Sequence, residues 1–176
     1  MSDDAKPART DPAQTERIAE FWEVARASVD LGDLGAVAGG PPKDVAPPPA
    51  WSFGDSPGLA DELLALVLEG RKTAAASLVV EYEDVGDPLP APGDLSIVLD
   101  GRAEPRALIR TTRVEIVPFA EVTVEHASLE GEGDRTLEAW RTEHRRAWQG
   151  PLASFGHELD PSMPVVCERF AVLFPA

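Results

Sequence analysis

A chain of 176 residues with an apolar share of 43% is long enough for one domain with its own core and an appendage. Its formal net charge of −15 excludes bulk electrostatic capture of long nucleic acid, because phosphate contacts need clustered Lys and Arg. No apolar run approaches the roughly 20 residues of a membrane span, the N-terminus lacks the apolar stretch of a signal peptide, and the single cysteine, Cys167, forms neither an intrachain disulfide nor a zinc site of its own. A reduced, cytoplasmic setting is the expectation, with no membrane and no long duplex nucleic acid as partner.

Residues 1–13 are polar and helix-poor and read as a disordered arm. From Gln14 to Val29, Ile18, Phe21, Trp22, Ala25 and Val29 recur at helical spacing. The stretch that follows, to residue 50, is rich in Gly and Pro and reads as a strap, which leaves the helix before it as a lid outside the central core. Trp51 opens a short extended segment. Asp55 or Ser56 then caps a helix with Pro57 in its first turn; Leu59, Leu63, Leu66 and Val67 form its buried stripe, and Gly70 stops it.

After Gly70 the pattern is strand-like from Thr73 to Tyr82, with a turn-rich loop over Asp84–Pro92. LSIVLD (Leu95–Asp100) is a strand, Asp100-Gly101 a turn, and Arg106–Val117 the return strand. Both parities of that strand mix polar and apolar residues, so neither is marked as the inward face. Ala120–Leu129 reads as a short helix and EGEGD (Glu130–Asp134) as a loop. Asp134 or Thr136 caps a helix through Gln149, which Gly150-Pro151 breaks; a second helical piece follows at Leu152–Leu159. Pro164 opens a last strand, VVCERFAVLF. Short strands interrupted by outer helices imply a small mixed β-barrel of the α+β class.

Two constellations carry chemistry. Lys72 follows a helix end and precedes three alanines, whose small side chains leave room for a ligand beside it. In such a pocket a lysine serves as a base or holds an anion or carbonyl; in the plain reading it is a solvated cation favoured by the helix C-terminus. Glu130, Glu132 and Asp134 put three carboxylates within five residues. They read as a general acid/base loop or a cation site, or as a polar loop ending in an N-cap aspartate.

His126 sits just ahead of that loop. His144 shares a helix side with Trp140 and Trp148 and reads as a hydrogen-bonded, part-buried histidine. Cys167 reads as core packing. HExxH, GxSxG, GxGxxG and Walker A patterns are absent. Of the four tryptophans, Trp51 is the candidate pocket wall.

Four segments, WSFGDSPGLADELLALVLEGRKTAAASL, PxPGDLSIVLDG, HASLEGEGDRTLEAWRTEH and PVVCERFAVLF, resemble in content and order the ASCH domain family, over residues 51–176. The resemblance implies a PUA-like barrel with peripheral helices, a cleft beside the G-x-K-T element and a link to RNA metabolism. One branch of the family consists of amidohydrolases acting on N4-acetylcytidine. Another has been linked to metal-assisted ribonuclease activity, in which case a divalent metal is implied; otherwise no cofactor is.

In the amidohydrolase branch the motif lysine, a threonine three positions later and a glutamate from the acidic segment form the active site. They map onto Lys72, Ala75 and either Glu130 or Glu132, so the hydroxyl is missing here. Ser77, on the same strand face as Ala75, is its candidate substitute, while Thr73, adjacent to Lys72, points the other way from the lysine.

The resulting expectation is a pocket for a nucleoside, nucleotide or short RNA. Lys72, Glu132 and Glu130 are the candidate catalytic residues, and Trp51, Thr73, Ala75, Ser77, Arg110 and Asp134 the candidate ligand contacts. A hydrolase using Lys72 and Glu132 is the alternative, with loss of Lys72 expected to abolish activity at little cost in stability. A protein-interaction module with a homodimer built on the N-terminal helix is the second alternative.

Overall fold

The computed structural model describes residues 11–29 and 46–175. Most of the expected disordered arm (1–10) and most of the strap (30–45) lie outside them. Among the described residues the architecture is α+β, with five strands in one mixed sheet and five helices around it. The elements are α1 (Pro12–Ser28), β1 (Ala50–Trp51), α2 (Pro57–Leu68), β2 (Ala74–Leu78), α3 (Val79–Val85), β3 (Leu95–Leu99), β4 (Pro105–Pro118), a 3₁₀ turn at Phe119–Glu121, α4 (Val124–Glu130), α5 (Leu137–Ser154) and β5 (Pro164–Pro175).

The sheet order is β1-β3-β4-β5-β2. β1 pairs parallel with β3, and the remaining neighbours are antiparallel. β1 and β2 are edges, so among the described residues the sheet stays open and does not close into the expected barrel. β1 pairs through two residues only, Ala50 with Ile97 and Trp51 with Val98, too short an edge to extend the sheet further.

The mixed parity of the return strand has a simple cause. Ala107 and Ile109 pack with α2 in one core cluster, while Leu108, between them, packs with α1 in another. The first half of β4 is therefore buried on both faces, and neither parity is free to be polar. The helix expected as a lid is part of this core. Phe21, Trp22 and Ala25 of α1 are buried against Ile97, Leu99 and Leu108. A third cluster joins Leu78 and Val165 to Trp140, Trp148 and Leu152 of α5.

Three element boundaries differ from the sequence pattern. The strand expected to reach Tyr82 ends at Leu78, which pairs with Val165, one residue from the start of its partner β5. Glu81 Oε2 accepts from Leu78 N at 2.8 Å and Gly86, at φ 75°, ends the turn, so local capping makes Val79–Val85 a helix despite its β-branched residues. Thr123 Oγ1 caps α4 by accepting from His126 N, which splits the expected helix at 120–129 into the 3₁₀ turn and α4. α5 runs through Gly150-Pro151 to Ser154. Leu152, 1% exposed, anchors that last turn to the core and outweighs the carbonyl left unpaired by the proline.

Candidate functional site

Gly70, at φ 71°, ends α2, and the chain folds back so that Arg71 N and Lys72 N both donate to Leu66 O at 2.9 and 3.0 Å. Thr73 N then donates to Leu129 O of α4 at 2.8 Å, and Thr73 O accepts from Phe170 N of β5 at 2.9 Å. Lys72 is thus held by three elements at once. The EGEGD segment comes equally close from the other side. Gly131, at φ 73°, lies where an added Cβ would stand 2.3 Å from Arg71 O. Only glycine allows this approach.

The Lys72 side chain is 2% exposed, not a solvated cation at a helix end. Its ammonium stands 2.5 Å from Glu132 Oε1 and 3.5 Å from Glu130 Oε2, and 5.1 Å from the centre of the Phe53 ring. Glu130 closes α4 and is equally buried. Its Oε1 accepts from Trp140 Nε1 at 2.7 Å and lies 2.9 Å from His126 Nε2; its Oε2 lies 3.5 Å from His144 Nε2.

The chemistry of the acceptors assigns the protons. The Glu130 carboxylate accepts a hydrogen bond from His126 Nε2–H, and the Trp140 carbonyl accepts one from His144 Nδ1–H at 2.9 Å. Burial pushes the Glu130 carboxyl up, but the Lys72 charge and then the His126 bond more than reverse this and hold it well below the ordinary carboxylate range. Glu130 is a fixed anion that anchors the lysine. Glu132, 35% exposed, is the carboxylate that faces outward.

A cleft of about 580 Å³ opens beside this pair, with Phe53, Glu130, Glu132, Asp134 and His144 among its lining residues; Lys72 is not among them and lies behind Glu130 and Glu132. Glu62 and Glu143 add negative charge, and Arg146 is the one arginine in the lining. At the rim, Asp134 Oδ1 accepts from Thr136 N and Thr136 Oγ1, and these bonds lower its carboxyl below the ordinary value. Thr136, not Asp134, caps α5.

The structure brings together Lys72, Glu130 and Glu132, with Asp134 nearby. It separates the other expected contacts. Ala75 and Trp51 line a different cavity, because successive residues of β2 point to opposite sides: Ala76 lines the Lys72 cleft and Ala75 does not. Ser77 Oγ bonds Tyr82 OH at 2.9 Å, on the side away from Lys72. Thr73 Oγ1 turns to Leu129 O at 3.4 Å. Arg110 lies between Ile109 and Thr111, which line the second cavity, and so points to the opposite face. Cys167 packs in the core, and burial followed by the charges of Glu130 and Glu115 pushes its thiol up to about 12.

Residues missed as site members are His126, His144, Trp140 and Phe53. Two had a readable signal. His126 stands four residues before Glu130 on one helix, and His144 stands four after Trp140; both pairs share a face. Among the described residues, no group of three or more His, Cys, Asp or Glu side chains is arranged to hold a metal, and no helix is long and apolar enough to cross a membrane.

The open five-stranded mixed sheet with helices around it is an α+β fold of the PUA-like type, in which Lys72 of the α2–β2 turn is buried against Glu130 at the end of α4. Residues 49–174 match the family model described as ASCH domain, and the chain belongs to the ASCH domain family. The chain is 35% identical to a protein of Enterococcus faecalis of known crystal structure, with 89% of this chain and 88% of that one covered and a TM-score of 0.74. It is 27% identical to an ASCH domain from Lactobacillus crispatus, with 90% and 94% covered and a TM-score of 0.77. No curated protein sequence matches it.

Proposed function

We propose that the cleft beside Lys72 binds the base end of a nucleoside, nucleotide or short RNA. The observation that carries this reading is the contact of the buried Lys72 ammonium with the part-exposed Glu132 carboxylate. A nucleobase presents amino groups from which the part-exposed Glu132 carboxylate accepts, and the Lys72 ammonium behind it holds that carboxylate in place as an anion. The acidic lining favours an uncharged ring inside and leaves phosphates in solvent. Membership of the ASCH family supports a role in RNA metabolism.

The test is ligand-induced thermal shift with nucleosides, modified nucleosides and nucleotides, for the full chain and for Glu132→Gln. A ligand at about 100 times its Kd stabilises by about 2.7 kcal/mol, which for a chain of this size raises Tm by roughly 5–10 °C. The expected result is a shift in the parent chain that Glu132→Gln loses. No shift with any nucleoside overturns the reading.

The same contact supports a second reading, hydrolysis of an acylated cytidine. Glu132 accepts the proton of an attacking water, and Lys72 donates to the amide oxygen as negative charge develops on it. Ala75 supplies no hydroxyl and lines the other cavity, which weighs against fast turnover. Release of cytidine and acetate from N4-acetylcytidine, lost in Glu132→Gln, is the outcome expected of this reading. Its absence leaves a binding module.

A further inference from the structure

A second cavity, of about 690 Å³, opens on the other side of β2. Its size is in the range of small-molecule sites. Ala75, Ile109 and Phe170 give it an apolar floor, and Trp51 and Tyr82 stand in its walls. Trp51 and Leu89, 36% and 38% exposed, lie among its lining residues, so large apolar groups are left facing water there. Trp51 packs edge-to-face on Phe53, with ring centroids 4.7 Å apart, which holds its ring in the cavity wall.

Glu168 of β5 stands opposite Ala75 in the strand register and lines this cavity. Its Oε1 accepts from Thr111 Oγ1 at 3.0 Å, and among the described residues its Oε2 accepts no hydrogen bond. Burial raises its carboxyl, the Thr111 bond lowers it, and the charge of Asp94 raises it again. Among the described residues, Asp94 and Asp87 are the other charged residues of the lining, and no lysine or arginine is with them. Asp94 is itself fixed, with Oδ2 accepting from Ala91 N at 2.8 Å. Three carboxylates around aromatic and apolar walls, with no counter-cation among the described residues, form a site that repels anions and is left with an unused acceptor.

We propose that this cavity binds a small organic cation, an apolar or aromatic body carrying an N–H-bearing amine. The amine donates to Glu168 Oε2, and its charge offsets the repulsion among Glu168, Asp94 and Asp87. The body lies on Phe170 and Ile109, with the faces of Trp51 and Tyr82 available to the cation. Phosphate- and carboxylate-bearing ligands are rejected by the same charges. This site is independent of the Lys72 cleft and asks for a different ligand class.

Titration calorimetry on the full chain at neutral pH tests it with three compounds of one shape: tryptamine, its neutral counterpart tryptophol and the anion indole-3-acetate. Tryptamine is expected to bind saturably, with tryptophol weaker by at least about tenfold, since a charge-assisted hydrogen bond contributes about 1.5–3 kcal/mol. The acid is expected not to bind. Glu168→Gln keeps an acceptor for Thr111 and removes the charge; it is expected to weaken tryptamine at least about tenfold. Trp51→Ala, at an exposed position, is expected to weaken it several-fold without altering the fold, and so keeps the test open if Glu168→Gln misfolds. Glu132→Gln, in the other cleft, is expected to leave tryptamine binding unchanged. The proposal is overturned by absence of saturable tryptamine binding, by equal binding of all three compounds, or by binding that survives Glu168→Gln or Trp51→Ala or is lost in Glu132→Gln.

Discussion

Lys72 and Glu130 are 58 residues apart in the chain, yet the ammonium of one stands 3.5 Å from Oε2 of the other, and each side chain is only 2% exposed. Two opposite charges taken out of water this far hold each other in place. Either one left alone is a buried, uncompensated ion.

Replacing Lys72 by Met is therefore expected to cost about 3–5 kcal/mol, measured by urea unfolding. This revises the expectation that the lysine is removable at little cost in stability. The double variant Lys72→Met/Glu130→Gln is expected to recover much of that loss, because the neutral amide oxygen still accepts from Trp140 Nε1. A single variant within 1 kcal/mol or so of the parent would contradict the burial of the pair.

Acid sensitivity follows from the same carboxylate. Glu130 titrates well below its ordinary 4.5 in the folded chain. Its contribution to stability is thus complete above 4.5 and is lost as the pH falls from there toward the folded value. In Glu130→Gln this limb is absent. The stability gap between parent and variant is expected to hold steady down to about pH 5 and to narrow as the pH falls from there toward 3 in denaturant titrations; a gap that stays constant to pH 3 would show that Glu130 is not the group responsible.

Gly131→Ala tests the close approach that sets the site. The new methyl would meet Arg71 O at 2.3 Å in a left-handed backbone conformation. The conformational strain alone costs about 1–2 kcal/mol, and the loop must also move away from Lys72. A loss of at least about 2 kcal/mol is expected, together with loss of any ligand response at the Lys72 cleft. Gly133→Ala, with nothing within 4 Å of its added carbon but a φ of 51°, is the control, expected to show the strain without the displacement.

Cys167 is expected to resist a thiol reagent at pH 8 in the native state and to react at once in denaturant. Its thiol is pushed up to about 12 and is buried beside the strands. Rapid native-state labelling would place it elsewhere.

The helix faces and the order of strands are legible in the sequence wherever one periodicity dominates, as in α1, α2, β3 and β5. Legibility fails where two constraints share a segment. β4 is buried on both faces, so its alternation vanishes. The valines at 79 and 80 favour a strand, but pairing with β5 ends at Leu78 and Val165, one residue from the start of β5, and Glu81 caps a helix instead. In the candidate site, the pairing of Lys72 with the EGEGD segment was reached through family resemblance. The roles within it were not: that Glu130 is a buried anchor and Glu132 the outward carboxylate depends on where α4 ends. The division of the expected ligand contacts between two cavities follows from the two-residue alternation of β2, which is visible in the sequence once the strand is known to start at Ala74.

β5 lies between β4 and β2, although it is the last strand in the chain. During synthesis β2 is made almost ninety residues before the strand that must receive it, and Thr73 has no Phe170 to bond until then. A ribosome-bound chain can form the β3–β4 hairpin and pack α1 and α2 upon it, but the Lys72 region stays an unzipped edge until the end. Translation cut short anywhere before Phe170 would yield not a weakened protein but one with an exposed seam, the species a cell's quality control is built to remove.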